Sequence, residues 1–118
     1  MSVVFSAPAA FDAVSVAQLR SELDRLAQSD HDVIVDMGAV TAIDGSGVGA
    51  IAYLVKRLAL RDRRLLLVNV GGAPRTLLAS TGMLKVLEAS PAIEAAIQAG
   101  RALERQHSTP VLPGRNVA

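Results

Sequence analysis

The chain has 118 residues, enough for one domain with a real hydrophobic core, and 51% of them are apolar. No apolar run reaches the roughly 18 to 20 residues that span a bilayer, and no basic segment precedes an apolar one at the N-terminus, so we expect neither membrane insertion nor a secretory signal. The lack of cysteine excludes disulfides and thiolate metal sites and is compatible with a reducing compartment, so we expect a cytoplasmic protein. A net charge of +1 and 3% aromatic residues argue against a nucleic-acid partner.

One strand and one amphipathic helix are predicted at the N-terminal end. Residues 3–5 are β-branched or aromatic, which favours a strand that Pro8 closes. Ser15 is the predicted N-cap of the helix, because Gln18 follows three residues later as in a capping box. The helix is predicted to reach about Gln28, since apolar side chains recur at three- and four-residue spacings on one face: Val16, Leu19, Leu23 and Leu26.

The middle of the chain alternates between strands and a helix. Residues 33–37 are strongly β-branched and predict a central strand, and residues 40–43 lead from it into a turn at Asp44. Apolar residues at helical spacing predict a helix over residues 47–60. Residues 65–70 form a continuous apolar run, which is typical of a strand covered on both faces in an α/β protein.

The C-terminal third predicts shorter elements. Pro74 suits the first residue of a short helix that continues to Ser80, and residues 85–87 predict a brief strand. Ser90 is placed to cap a further helix. Residues 106–118 contain prolines and glycine without periodicity, which predicts a flexible tail after a domain of residues 1–105.

The alternation of strands and helices predicts the fold class. Strands separated by helices favour crossover connections, and these place neighbouring strands parallel. We therefore predict a single α/β domain with a central, mainly parallel sheet of four to five strands and about four helices.

The most unusual stretch is residues 42–50, which read A-I-D-G-S-G-V-G-A. Three glycines around one serine suit a tight strand-to-helix turn that displays Ser46 at a helix N-terminus, where unpaired N–H groups favour an oxyanion or a phosphate. Asp44 suits the N-cap of that helix under any interpretation. The residue types alone leave Ser46 open between a purely structural role and a chemical one.

Enzymatic interpretations of this turn lack partner residues. Residues 45–50 fit the dinucleotide pattern G-x-G-x-x-A, but the next strand ends without the carboxylate that would bind a ribose. A serine hydrolase would need glycine where Asp44 stands, and His31 and His107 lie in a polar loop and the predicted tail. No cluster has metal-ligand spacing. We expect no enzymatic activity and no cofactor.

Two separated motifs resemble those of a known family. Residues 33–49, V-I-V-D-M-G-A-V-T-A-I-D-G-S-G-V-G, resemble the central motif of STAS domains, the anti-sigma factor antagonist proteins of bacteria, in which an apolar strand precedes D-S-S-G-L-G. The stretch from Pro74 to Met83 resembles the family's helix that ends in L-x-x-T-G-L. Phe11 and Asp12 resemble the segment G-x-(I/L/F)-D without its glycine. The resemblance covers about residues 3–100.

The resemblance implies a phosphorylation switch. An unphosphorylated antagonist binds an anti-sigma factor, often itself a serine kinase, and so frees the sigma factor. The kinase phosphorylates the motif serine and a serine phosphatase resets it. Carried over to this chain, Ser46 is the phosphorylation site, and the expected partner-binding face includes five further residues: Asp12, Asp44, Gly45, Gly47 and Val48.

The sequence departs from the family pattern in two places. Gly45 replaces the serine or threonine common before the phosphoacceptor, and only one strand is predicted before the first helix where the family usually has two. Relatives also serve as non-phosphorylated accessory subunits of bacterial lipid-transport ATP-binding cassette complexes, and that role is the alternative. The sequence leaves the choice between a monomer and a homodimer open.

Overall fold

Groups of one or two strands alternate with groups of one or two helices along the part of the chain that the computed structural model describes, residues 2–88. Five strands and five helices are formed there. Their bounds in chain order are β1 (Ser2–Ser6), β2 (Ala10–Phe11), α1 (Ala13–Gln18), α2 (Arg20–Ala27), β3 (Asp32–Asp36), β4 (Ala42–Ile43), α3 (Gly45–Ala59), β5 (Leu65–Val68), α4 (Gly72–Ser80) and α5 (Met83–Leu87).

The strands form two parallel sheets. The larger has the order β1-β3-β5, and Val33 of its central strand lies opposite Val3 on one side and Leu65 on the other. The smaller pairs β2 with β4, so that Phe11 lies opposite Ile43. The α/β class and the parallel sheet are therefore confirmed, with the five strands divided between two sheets.

The main core lies on one face of the larger sheet. Val33 and Val35 point to that face, whereas Ile34 belongs to a smaller cluster on the opposite face with Val68. This alternation follows from the two-residue period of a strand. Helices α2 and α3 contribute the other side of the main core, chiefly through Leu23, Leu26, Ile51, Leu54 and Leu58, all of them buried.

The N-terminal region differs from the prediction in two respects. A second strand, β2, precedes the first helix, so the prediction of one strand is wrong. With two residues it is too short to show a pattern, and only its pairing with β4 defines it. The N-cap is Asp12 rather than Ser15: the Asp12 carboxylate accepts from the Ser15 backbone N–H at 3.1 Å, and the Ser15 hydroxyl accepts from the Asp12 N–H at 3.0 Å.

The first helical segment is also interrupted. Leu19 separates α1 from α2 with φ −93° and ψ 8°, although its N–H still bonds to the Ser15 carbonyl and its own carbonyl accepts from Leu23. The predicted inner face survives this distortion, because Leu23 and Leu26 are buried in the main core and Val16 and Leu19 pack against that core.

Two predictions near the C-terminal end of the described region are also corrected. Residues 85–87 belong to helix α5 rather than to a strand, since Leu84 and Leu87 are buried three residues apart while Val86 is 78% exposed. Strand β5 ends at Val68, because Asn69 adopts a left-handed conformation with φ +59°. The predicted helix after Ser90 and the tail of residues 106–118 lie outside the described residues.

A close approach at Gly47 fixes helix α3 against the smaller sheet. A Cβ atom built on Gly47 would overlap the Phe11 carbonyl oxygen and lie 2.8 Å from Cγ1 of Ile43. Only glycine permits such contact with a neighbouring backbone. By contrast, a Cβ atom on Gly45 or Gly49 would meet nothing within 4 Å.

Gly47→Ala and Gly49→Ala are therefore expected to change stability in opposite directions. The first substitution forces a methyl group into backbone and should lower the free energy of unfolding by about 2 kcal/mol. The second removes a flexible residue from a helix with open space beside it and should raise that free energy by about 0.5 kcal/mol. Urea unfolding followed by circular dichroism checks both values. Equal stability of the two variants would contradict the close approach.

Candidate functional site

The start of helix α3 is built around the carboxylate of Asp44. Its Oδ1 accepts the backbone N–H of Ser46 at 2.8 Å and that of Gly47 at 3.1 Å, while its backbone carbonyl accepts from Val48 at 3.0 Å. The structure thus confirms that Asp44 is the N-cap. It follows that two of the N–H groups that could have bound an external anion are already engaged by this carboxylate.

Ser46 is the second residue of α3 and its side chain is exposed. No hydrogen bond joins its hydroxyl to another residue of the range 2–88. His31 lies before β3, at the amino end of that strand, whereas Ser46 follows the carboxyl end of β4. The hydroxyl is therefore open to solvent, and His31, the one histidine of the described chain, forms no hydrogen bond with it.

The pairing of β2 with β4 brings the two predicted acids to the same edge. Phe11 and Ile43 lie opposite each other, so that Asp12 and Asp44 follow at neighbouring positions, each as the N-cap of the helix behind it. The Asp44 N–H also approaches the Phe11 carbonyl oxygen at 3.4 Å. These two carboxylates are more than thirty residues apart in the sequence. The pairing of β2 with β4 in the smaller sheet brings them together.

The remaining predicted residues have different degrees of exposure. Gly45 is exposed beside Ser46, Val48 is half-buried against the core, and Gly47 is buried. Gly47 therefore supports the face from beneath, and the surface consists of Asp12, Asp44, Gly45 and Ser46 with the edge of Val48.

A cleft of about 380 Å³ opens next to Ser46, between α3 and the pair α1–α2. Its floor is apolar, and its rim carries Arg20, Asp24, Ser46 and Tyr53. The Tyr53 hydroxyl donates to Oδ1 of Asp24 at 3.1 Å across the cleft, and the guanidinium of Arg57 lies 5.8 Å from the Tyr53 ring centroid. Among residues 2–88 the lining is Val16, Arg20, Leu23, Asp24, Ser46, Gly49, Ala50 and Tyr53.

The apolar periodicity that predicts these helices does not include Arg20, Asp24 or Tyr53, so it does not indicate a cleft between them. The signal that could have revealed the cleft is a stripe of small residues: Ser46, Gly49 and Ala50 recur at helical spacing on one side of α3. Small side chains leave room between packed helices, and here that room is the cleft.

Three further features of the described part of the chain concern metal ligands, membrane spans and the glycine pattern of the turn. Residues 2–88 contain no group of three potential metal ligands, and no helix among them is long and apolar enough to cross a membrane. The glycines of the dinucleotide pattern are also used differently, because Gly47 packs on Phe11 and the N-terminal N–H groups of α3 bond to Asp44.

The fold has solved counterparts. The chain is similar to a sulfate transporter family protein from Wolinella succinogenes, with 22% identity and a TM-score of 0.60 over 73% of this chain and 70% of the other. It is also similar to the Bacillus cell fate determinant SpoIIAA in its phosphorylated form, with 22% identity and a TM-score of 0.62 over 85% of this chain and 91% of the other. For the anti-sigma factor antagonist SpoIIAA in its unphosphorylated form the identity is 20% and the TM-score 0.62, over 85% and 89%. Such identities show a shared fold.

No curated protein matches the sequence significantly. A family model does: the model of the STAS domain matches residues 2–96, which is most of the chain. The matched range contains both sheets, the Asp44 cap, Ser46 and the helices that border the cleft. By this match the chain belongs to the STAS domain family.

Proposed function

We propose that this protein is an anti-sigma factor antagonist that works by partner switching. It binds an anti-sigma factor that is also a serine kinase while Ser46 is unmodified, and phosphorylation of Ser46 releases it. A serine phosphatase then restores the binding form. The observation that carries the proposal is the exposed Ser46 hydroxyl at the start of α3, on the face formed with Asp12 and Asp44.

The proposed modification requires chemistry that another protein performs. Oγ of Ser46 bonds to the γ-phosphorus of ATP held by the kinase, ADP leaves, and the kinase accepts the hydroxyl proton. The protein itself needs only to present the hydroxyl, which agrees with its exposure. We therefore propose a regulator rather than an enzyme, acting in the cytoplasm.

Electrostatics explains how one phosphate can eject a partner. A phosphoserine adds about −1.5 to −2 charges at neutral pH. The negative carboxylate of Asp44 already occupies the N–H groups of Ser46 and Gly47, so a partner covering this face would bury two adjacent anionic groups. Phosphorylation should cost the fold little stability, because the Ser46 side chain is outside the core.

A second candidate function rests on Gly45. Its surroundings are open, so the fold does not require glycine where the family commonly has serine or threonine. A partner that does not read a phosphoacceptor motif would tolerate this departure. The candidate is a non-phosphorylated accessory subunit that binds the ATPase of a bacterial lipid transporter through the same face, and similarity to a sulfate transporter family protein agrees with a STAS fold in transport proteins.

Phosphorylation at Ser46 is the first test. Incubation with cognate anti-sigma kinases and ATP should add one phosphoryl group, which peptide mapping should place on Ser46. Ser46→Ala should abolish the mass gain although other exposed serines, such as Ser21 and Ser80, remain. Ser46→Asp should weaken kinase binding at least tenfold with an unchanged melting temperature. No modification by any cognate kinase, together with binding to a transporter ATPase, would favour the second function.

Substitutions of Asp44 separate its structural role from its role in binding. Asp44→Asn keeps an N-cap and should change the free energy of unfolding by only a few tenths of a kcal/mol, whereas Asp44→Ala should lower it by about 1 kcal/mol. If the carboxylate contacts the partner, both variants should bind it more weakly, as measured by calorimetry. Wild-type affinity in Asp44→Asn would show that Asp44 serves only as a cap.

A further inference from the structure

We propose that Arg20 binds the phosphate on Ser46 across the cleft and holds the released form of the protein closed. The inference rests on the proposed phosphorylation and assigns a role to a residue that the motif does not contain. The ligand is the phosphomonoester dianion of the chain's own Ser46. The Arg20 guanidinium suits this ligand, because a guanidinium can donate two parallel hydrogen bonds to phosphate oxygens.

The two residues line one cleft from opposite walls. Arg20 is the first residue of α2 and Ser46 the second residue of α3, and both side chains are exposed at the rim of the same 380 Å³ space. Gly49 and Ala50 keep that side of the cleft free of bulk. A phosphate on Ser46 would therefore enter a space that a long arginine side chain can also enter.

Because Asp44 already caps α3, a phosphate on Ser46 would need a positive charge from another residue. The Asp44 carboxylate engages the N–H groups of Ser46 and Gly47, so these donors are not available to an anion on the Ser46 side chain. Asp44 also adds a negative charge beside the phosphate. A counter-charge must come from elsewhere, and Arg20 is the one cationic residue among the described residues that line the cleft.

Arg20 forms no ion pair with an acidic side chain within the described range 2–88. Three other arginines form ion pairs there, with Asp30, Asp32 and Glu88, and Arg20 forms none. Asp24 is the acid of the cleft and lies four residues after Arg20, but its carboxylate accepts from the Tyr53 hydroxyl. The guanidinium can thus turn to a new dianion without breaking an existing ion pair.

An ion pair between the Ser46 phosphate and Arg20 would change the surface that a partner contacts. Phosphate and guanidinium would bridge α3 and α2 at the mouth of the cleft and cover its apolar floor. Release of the partner would then have two physical sources, repulsion at the Asp44 edge and closure of the adjacent cleft. Dephosphorylation would free Arg20 and reopen the surface.

The test uses the full chain with phosphoserine installed at position 46 during synthesis, so that no kinase is needed. A phosphorus NMR titration compares this protein with the same protein carrying Arg20→Gln, Arg20→Lys or Arg25→Gln. Arg25 is exposed on the same helix and does not line the cleft, so it is a matched control for net charge. Circular dichroism verifies that each variant is folded.

We expect the phosphate of the parent protein to titrate with a midpoint about 0.5 pH unit below that of Arg20→Gln, because a nearby cation favours the dianion. Arg20→Lys should retain part of this difference, and Arg25→Gln should match the parent. The proposal fails if Arg20→Gln leaves the midpoint unchanged or if Arg25→Gln shifts it equally. Since the phosphate is installed chemically, this result is independent of whether a kinase modifies Ser46.

Discussion

The contact between Gly47 and the Phe11 carbonyl is the constraint on which the rest of the site depends. It presses the first turn of α3 against the two-stranded sheet, at a distance that no larger residue allows. With that turn fixed, Asp44 caps the helix and Ser46 faces solvent. The same contact places the start of α3 beside Phe11, one residue before the N-cap of α1.

The structural roles in this turn fall on the neighbours of Ser46, the proposed phosphorylation site. Asp44 and Gly47 hold the helix in place, while Ser46, between them, contributes nothing to the core. A group added to Ser46 can therefore change the surface charge without a large cost in stability. That separation is what a reversible switch requires, because a modification that unfolded the domain could not be reset by removing the phosphate.

The elements predicted from sequence are those whose pattern is local. Strand β3 and helix α3 were predicted because β-branched runs and three- to four-residue spacing do not depend on the rest of the fold, and the Asp44 cap follows from its residue type. Strand β2, with its two residues, exists only through pairing with β4. The cleft likewise depends on how two helices pack, so Arg20 could not be assigned to it from sequence, although the stripe of small residues on α3 marks one of its walls.

The three glycines of the turn have different structural roles, which their residue type does not reveal. Gly47 is required by packing, whereas Gly45 and Gly49 have open space where a Cβ would be and no positive φ. The fold therefore accounts for one glycine of the three. Gly49 helps to keep the cleft open beside Ser46, and Gly45 lies on the exposed surface directly before it. Because the domain itself does not demand Gly45, the departure from the family motif bears on the proposed partner-binding face, and differences in partner recognition should be sought at that residue.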